Sequence, residues 1–238
     1  MPIKDKTALI TGGNRGVGYG IAEALVKTGV NVAITSRSEK KAIAAAESLN
    51  KLGKGEAIGF EVDVRDLNEQ QNAVRLTLEK WGRLDLFVAN AGVGNFGNVE
   101  DLTVEEWKET IDTNLTGAFY SIKAAVKALK TSKGMFVTIS SLAGANFFAG
   151  GAAYNASKFG LTGFTQAVML DLRQSGVRVS TIMPGSVATG FNNREVSDAD
   201  NWKIHPEDLG KLVVDLFEMD PRTLPSKIEV RPSQPPVK

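Results

Sequence analysis

Thr7-Ala8-Leu9-Ile10-Thr11-Gly12-Gly13-Asn14-Arg15-Gly16-Val17-Gly18 sets a short apolar run against a glycine-rich turn, and an amphipathic stretch follows as far as Thr28. A run this short and this apolar reads as a strand buried on both faces. The glycines let the backbone turn tightly and approach a ligand, and the helix that follows offers its N-terminal N–H groups to an anion. Strand, glycine turn, helix is the setting in which a glycine motif carries meaning: a dinucleotide pyrophosphate fits there. Gly12, Asn14, Arg15, Gly16, Val17 and Gly18 are the candidate contacts in this turn. The spacing is Thr-Gly-x-x-x-Gly-x-Gly rather than Gly-x-Gly-x-x-Gly, and a plain tight βα turn is the bland alternative. Gly29 ends the helix.

The next strand, Asn31–Ser36, runs into Arg37. An acid at that point would accept from a ribose 2′-hydroxyl, whereas an arginine accommodates a 2′-phosphate. Here stand Thr35-Ser36-Arg37 with no acid, and Arg15 adds a cation from the glycine turn. Ser36, Arg37 and Arg15 therefore argue for NADP(H) on charge.

A third strand is expected over Glu56–Val64. Its closing Asp63-Val64 could meet an adenine amino group, or Asp63 could cap the helix beginning near Leu67. Leu84–Ala89 reads as a fourth strand, and Asn90-Ala91-Gly92 after it leaves room for a ligand. Thr103–Lys130 reads as one long helix opening on a Thr103-x-x-Glu106 capping box. Asn114 in its middle is either a tolerated exposed residue or a kink. Gly134–Ser140, Arg178–Met183 and Ser226–Arg231 complete the strands; Ala152–Gln174 and Pro206–Met219 complete the helices, with Pro206 suited to a first turn. Pro184-Gly185-Ser186-Val187-Ala188-Thr189 follows the sixth strand. Residues 190–205 are polar and irregular, with Phe191 and Trp202 embedded, and read as a substrate lid. Together with Phe96, Phe147 and Phe148 these aromatics suggest an apolar, aromatic- or pterin-sized pocket, or else core or interface residues.

Strands and helices alternate seven times. The expected fold is α/β: a Rossmann-type three-layer α/β/α sandwich with a seven-stranded parallel sheet, as a single domain over 1–238. The loops singled out all follow strands, so they converge on one edge of the sheet.

Composition removes other classes. The chain of 238 residues carries a net charge of +1 with acids and bases interspersed, so no basic stripe suggests nucleic acid. No apolar window is long enough to cross a membrane, and a cytoplasmic protein is expected. Cysteine is absent and His205 is the one histidine. Disulfides, thiolate catalysis and a Cys/His zinc site are excluded, and redox chemistry requires an organic cofactor.

Tyr154 and Lys158, four apart, share one face of the expected helix. A phenol beside a fixed ammonium is a proton donor whose pKa can be drawn down. Ser141, thirteen residues before Tyr154, can bring a hydroxyl to the same place. The pair alone is weak; its weight comes from the other strand-end loops aimed at the same edge.

Taken in order, Thr11-Gly12-x-x-x-Gly16-x-Gly18, Asp63, Asn90-Ala91-Gly92, Asn114, Ser141, Tyr154-x-x-x-Lys158 and Pro184-Gly185-x-Val187-x-Thr189 resemble the short-chain dehydrogenase/reductase family. The resemblance implies a catalytic set of Asn114, Ser141, Tyr154 and Lys158. Tyr154 would protonate a carbonyl oxygen, and Lys158 would hold the nicotinamide ribose. Ser141 would hold the substrate oxygen. Asn114 would place a water on the path to Lys158, while Pro184, Gly185, Val187 and Thr189 would grip the carboxamide side. Ala89 departs from the second Asn common before Asn90. The ending Ile228-Glu229-Val230-Arg231 is similar to the bacterial sepiapterin-reductase-like branch. The expectation is NADP(H)-dependent reduction of a small carbonyl, or oxidation of the alcohol; a catalytically silent dinucleotide sensor is the alternative. No nucleic-acid or membrane partner is expected. Alanine-rich faces on the two long helices point to a homodimer or homotetramer.

Overall fold

The computed structural model describes residues 2–193 and 195–236. Seven parallel strands form one sheet: β1 (Thr7–Ile10), β2 (Asn31–Ser36), β3 (Ala57–Glu61), β4 (Leu86–Ala89), β5 (Met135–Ile139), β6 (Arg178–Pro184) and β7 (Lys227–Val230). Their spatial order is β3-β2-β1-β4-β5-β6-β7. The chain reverses its direction of travel across the sheet at β1, so the loops after β1 and β4 lie side by side and open a crevice between them.

Alternation along each buried strand feeds two cores. Ala8, Ile10, Val32, Ile34, Val88 and Val137 face α1 (Gly16–Lys27), α2 (Glu39–Asn50) and α7 (Pro206–Glu218). Leu9, Ala33, Phe87, Phe136 and Val179 face α3 (Leu67–Trp81), α5 (Gly117–Ser132) and α6 (Ala152–Leu172). Both faces being covered is why these strands read as continuous apolar runs. Glycine sets the closest helix crossing: a Cβ at Gly210 of α7 would stand 2.4 Å from the Gly20 carbonyl of α1.

The helix expected over Thr103–Lys130 is interrupted. α4 (Val104–Ile111) gives way to a π-helical turn at Asp112–Thr116 before α5 resumes. Asn114 lies in that turn and is buried, not exposed. Gln70 of α3 supports the break, its amide donating to the carbonyls of Val64 at 2.6 Å and Gly117 at 2.9 Å. The Thr103–Glu106 capping box and Pro206 at the start of α7 form as expected. The third strand stops at Glu61, although the Val62 N–H still donates to Ser36. Asp66, not Asp63, caps α3, because its carboxylate sits where the Asn68 and Glu69 N–H groups point.

At the amino edge of the sheet, fully buried Asp85 accepts the Thr7 N–H at 3.0 Å and two bonds of 2.6 Å from Arg83, with Lys6 at 3.6 Å. No helix among the described residues is long and apolar enough to cross a membrane.

Candidate active site

One cleft runs along the carboxyl edge, from the end of β2 to the start of α6. Its middle is backbone. Gly12 and Gly16 take left-handed φ of 64° and 57°, which glycine adopts without strain. α1 then begins with no side-chain cap and no acid in its first turn. The positive end of its dipole is left for an anion, as a bridging pyrophosphate requires. Thr11 and Asn90 hold the two flanking loops together. The Thr11 hydroxyl accepts from the N–H groups of Asn90 and Ala91 at 3.0 and 3.1 Å, and the Asn90 amide donates to the Thr11 carbonyl at 2.9 Å. Gly18 departs from its expected role. It lies beneath the turn, where a Cβ would stand 2.5 Å from both the Asn90 amide and the Gly12 carbonyl, so it permits packing and does not line the cleft.

At the adenosine-sized end, Asn14, Arg15, Val17, Ser36, Arg37, Asp63 and Val64 all border the cleft. Arg15 and Arg37 are exposed; Arg37 faces Glu109 at 3.8 Å. Lys41, in the first turn of α2, joins them and was missed in the sequence, although its spacing of four from Arg37 was the available signal. The Arg65 guanidinium, bonded from Nε to Asp63 at 2.9 and 3.0 Å, holds that carboxyl below its ordinary range.

At the other end stand Tyr154 and Lys158, both on α6. Tyr154 lies in the first turn, where burial raises its phenol above the ordinary value and a hydrogen bond with Ser141 partly offsets this. The lowering expected from Lys158 does not enter this balance, which loss of solvent and the Ser141 hydroxyl set. Lys158 is buried, which lowers its ammonium to about 8. Its Nζ lies 5.7 Å from the centre of the Tyr154 ring and donates to the Ile139 carbonyl at 3.0 Å. Gly92 leaves the space over this ammonium open: a Cβ there would stand 3.7 Å from Nζ. Ser141 begins the loop after β5, its hydroxyl accepting the Ala143 N–H at 3.1 Å. Ser140 turns the other way, bonded to Thr162 at 2.9 Å within the protein.

Asn114 does not border the cleft; it sits behind the loop after β4. Its side chain accepts the Val93 N–H at 2.8 Å and donates to the Val93 carbonyl at 2.9 Å and to Ser157 at 3.0 Å. Ser157 in turn donates to the Tyr154 carbonyl at 2.8 Å, so the π turn is coupled to the turn that carries the phenol. Asn155, also missed in the sequence, is buried and donates to the carbonyls of Ala143 and Asn146, both at 2.8 Å. Its signal was a carboxamide beside Tyr154 in an otherwise small-residue helix.

Pro184, Gly185, Val187 and Thr189 form the remaining wall. A Cβ at Gly16 would stand 3.5 Å from the Thr189 methyl, so the glycine turn and this loop face each other closely. The segment expected as a lid, 190–205, includes Arg194, which lies outside the described residues; its base is closed by bonds of Ile204 to Ser186 and Ala188. The glycine cradle, the uncapped helix end and the space over Lys158 suit an extended nicotinamide dinucleotide. Among the described residues no cluster of potential metal ligands exists.

The chain is similar to known proteins over most of its length. The family model for short chain dehydrogenases matches residues 6–200. Trans-4-hydroxycyclohexanecarboxylate dehydrogenase of Sinomonas cyclohexanicum is 40% identical over 192 residues, covering 79% of this chain and 74% of that protein. A 3-oxoacyl-[acyl-carrier-protein] reductase of Synechocystis is 36% identical over 77% of this chain and 75% of its own. Among solved structures, an alcohol dehydrogenase from the archaeon Thermococcus sibiricus, complexed with 5-hydroxy-NADP, superposes with a TM-score of 0.91 at 27% identity, covering 98% of this chain and 99% of that one. A metagenomic short-chain oxidoreductase in complex with NADP gives 0.86 at 33% identity, over 99% and 100%. Together with the sheet order, the glycine cradle and the Tyr154–Lys158 turn, these matches establish the chain as a member of the short-chain dehydrogenase family and an oxidoreductase.

Proposed function

We propose that the protein transfers a hydride between NADP(H) and a small carbonyl or alcohol, with Tyr154 exchanging a proton with the substrate oxygen. One observation carries this reading. A phenol bonded to the Ser141 hydroxyl stands at one end of a continuous cleft whose other end gathers Arg15, Arg37 and Lys41. When bound, the nicotinamide supplies or accepts the hydride.

Arg15, Arg37 and Lys41 answer the charge of a 2′-phosphate, and the uncapped start of α1 answers the pyrophosphate. Lys158, beneath Gly92, is suited to the hydroxyls of a ribose passing over it. Its positive charge near the Tyr154 ring stabilises the phenolate left after proton transfer. Ser141 holds the substrate oxygen beside the phenol, and Asn114 with Ser157 keeps the Tyr154 turn in register. Val187 and Thr189 form the carboxamide wall. Two NADP-bound structural neighbours support the cofactor choice. NADPH consumption followed with a panel of ketones tests the reading; loss of turnover in Tyr154→Phe is expected, and wild-type turnover in that variant rejects it.

A homodimer or homotetramer is part of this reading. Phe119 on α5 and Phe159 and Leu170 on α6 are 43%, 42% and 53% exposed, and alanines and glycines surround them. Apolar side chains in such number on adjoining helices favour a second copy as cover.

A further inference from the structure

Phe96, Phe148 and Phe191 come from three loops yet meet beside the phenol. Ring centres lie 5.2 Å apart for Phe96 and Tyr154, 6.2 Å for Tyr154 and Phe191, and 6.0 Å for Phe96 and Phe148. Two loop-to-loop bonds bring them together. The Gly97 N–H donates to the Gly150 carbonyl at 2.9 Å, tying the loop after β4 to the one before α6. The Asn192 amide donates to the Gly94 carbonyl at 2.6 Å and anchors the segment carrying Phe191. Gly94 is the point of convergence: a Cβ there would stand 2.9 Å from both the Phe96 and Phe191 rings.

Rings held this closely usually bury one another. Here Phe96, Phe148 and Phe191 remain 50%, 49% and 40% exposed, and all three border the cleft. Flat apolar area is therefore offered to a ligand and is fixed by loop-to-loop bonds, the character of a pre-formed apolar site. Apart from Lys158, which donates to the Ile139 carbonyl, the cations described at this end already hold carboxylates: Lys203 pairs with Asp200 at 2.5 Å and Arg231 with Glu229 at 2.8 Å. A negatively charged substrate would meet ring faces and engaged cations.

We propose that the substrate is a neutral ring ketone, alicyclic or aryl, or the corresponding secondary alcohol, whose ring lies against Phe96 and Phe191 while its oxygen reaches Tyr154 and Ser141. This rests on the reading of Tyr154 as proton donor. In the reducing direction the hydride of NADPH would add to the carbonyl carbon while the C=O π pair takes the Tyr154 proton; the products are the secondary alcohol and NADP+, and the Tyr154 phenolate regains its proton from water. A linear ketone of equal carbon count forgoes ring contact and loses more rotor freedom on binding.

The test compares cyclohexyl methyl ketone and acetophenone with 2-octanone, and acetophenone with 4-acetylbenzoate, by NADPH oxidation. Ring ketones are expected to exceed 2-octanone in kcat/KM by about tenfold, the scale that one or two aromatic contacts supply, and 4-acetylbenzoate is expected to fall below acetophenone. Phe96→Leu and Phe191→Leu should bring the ring-to-chain ratio toward one with NADPH affinity retained. Equal use of 2-octanone, preference for 4-acetylbenzoate, or an unchanged ratio in both variants would overturn the proposal. Failure of the underlying reading looks different: no NADPH oxidation with any of these ketones. Saturation-transfer NMR of cyclohexyl methyl ketone and 2-octanone on the NADP+ complex reads ring preference without turnover, and equal saturation there overturns the proposal on its own.

Discussion

Lys158 donates its ammonium to the Ile139 carbonyl at 3.0 Å, pinning α6 to the end of β5 with a buried charge. Burial lowers this ammonium from 10.5 to about 8, so between those values the unfolded chain holds a proton that the folded chain has released. Stability from this group is fully present above pH 10.5 and is lost as pH falls through 8. Urea unfolding of wild type and Lys158→Met at pH 7 and pH 10 measures it. Wild type should gain about 2 kcal/mol relative to the variant on going to the higher pH. Parallel pH profiles would show that Lys158 does not titrate in this way.

Tyr154→Phe keeps the ring and its contacts with Phe96 and Phe191 but removes the proton. Turnover should fall by about 10²–10⁴-fold, the usual contribution of a positioned acid. NADPH affinity, followed by fluorescence titration, should stay within a few-fold of wild type.

Arg37→Asp and Lys41→Glu each place a negative charge where the cleft gathers cations. The NADPH-to-NADH ratio of kcat/KM should drop by about 10–100-fold for Arg37→Asp, as for loss of a charge-assisted bond. The Glu109 partner, exposed and 3.8 Å away, offsets little of this. An unchanged ratio would remove Arg37 from the cofactor site.

Asn155→Asp converts two donors into acceptors facing the carbonyls of Ala143 and Asn146. The loop from Ser141 to Gly151 should loosen at a cost of about 1–3 kcal/mol. Ketone KM should rise while NADPH affinity holds, because the loop borders the substrate end alone. Equal losses of both would mean that Asn155 is only a folding residue.

Light scattering at micromolar concentration should report more than one copy of the chain, and Phe159→Glu should shift the species toward monomer. A monomeric wild type would leave the exposed apolar faces of α5 and α6 without the cover proposed for them.

The order of strands and helices was readable because β1, β4 and β5 are buried on both faces, which writes them as largely apolar runs; β6, equally buried, carries Arg178, Ser180 and Thr181 among its apolar residues. The break at Asp112–Thr116 was legible only as one of two options for Asn114, an exposed residue or a kink. Gly117 directly follows it, but a glycine alone does not dictate a π turn; the turn is fixed by contacts from elsewhere, the Gln70 amide and the Asn114 bonds to Val93 and Ser157. Asp63 was readable as a possible cap of α3, but Asp66 was overlooked; Asp66 caps the helix, while Asp63 is engaged by Arg65. At the site, glycines and charged residues were legible one loop at a time. The aromatics were legible as pocket candidates, but not which of them meet at Tyr154: the Gly97–Gly150 and Asn192–Gly94 bonds bring Phe96, Phe148 and Phe191 together, whereas Phe147 does not border the cleft.

The buried Asp85 cluster joins the starts of β1 and β4, while every residue assigned to chemistry sits past the opposite ends of the strands. A sheet's length thus separates what braces the scaffold from what selects the substrate. Substitutions in the aromatic loops and in the Asp85 cluster share no partners, so their free-energy effects should add. The selective end can therefore be rebuilt for other ketones on a foundation that does not register the change.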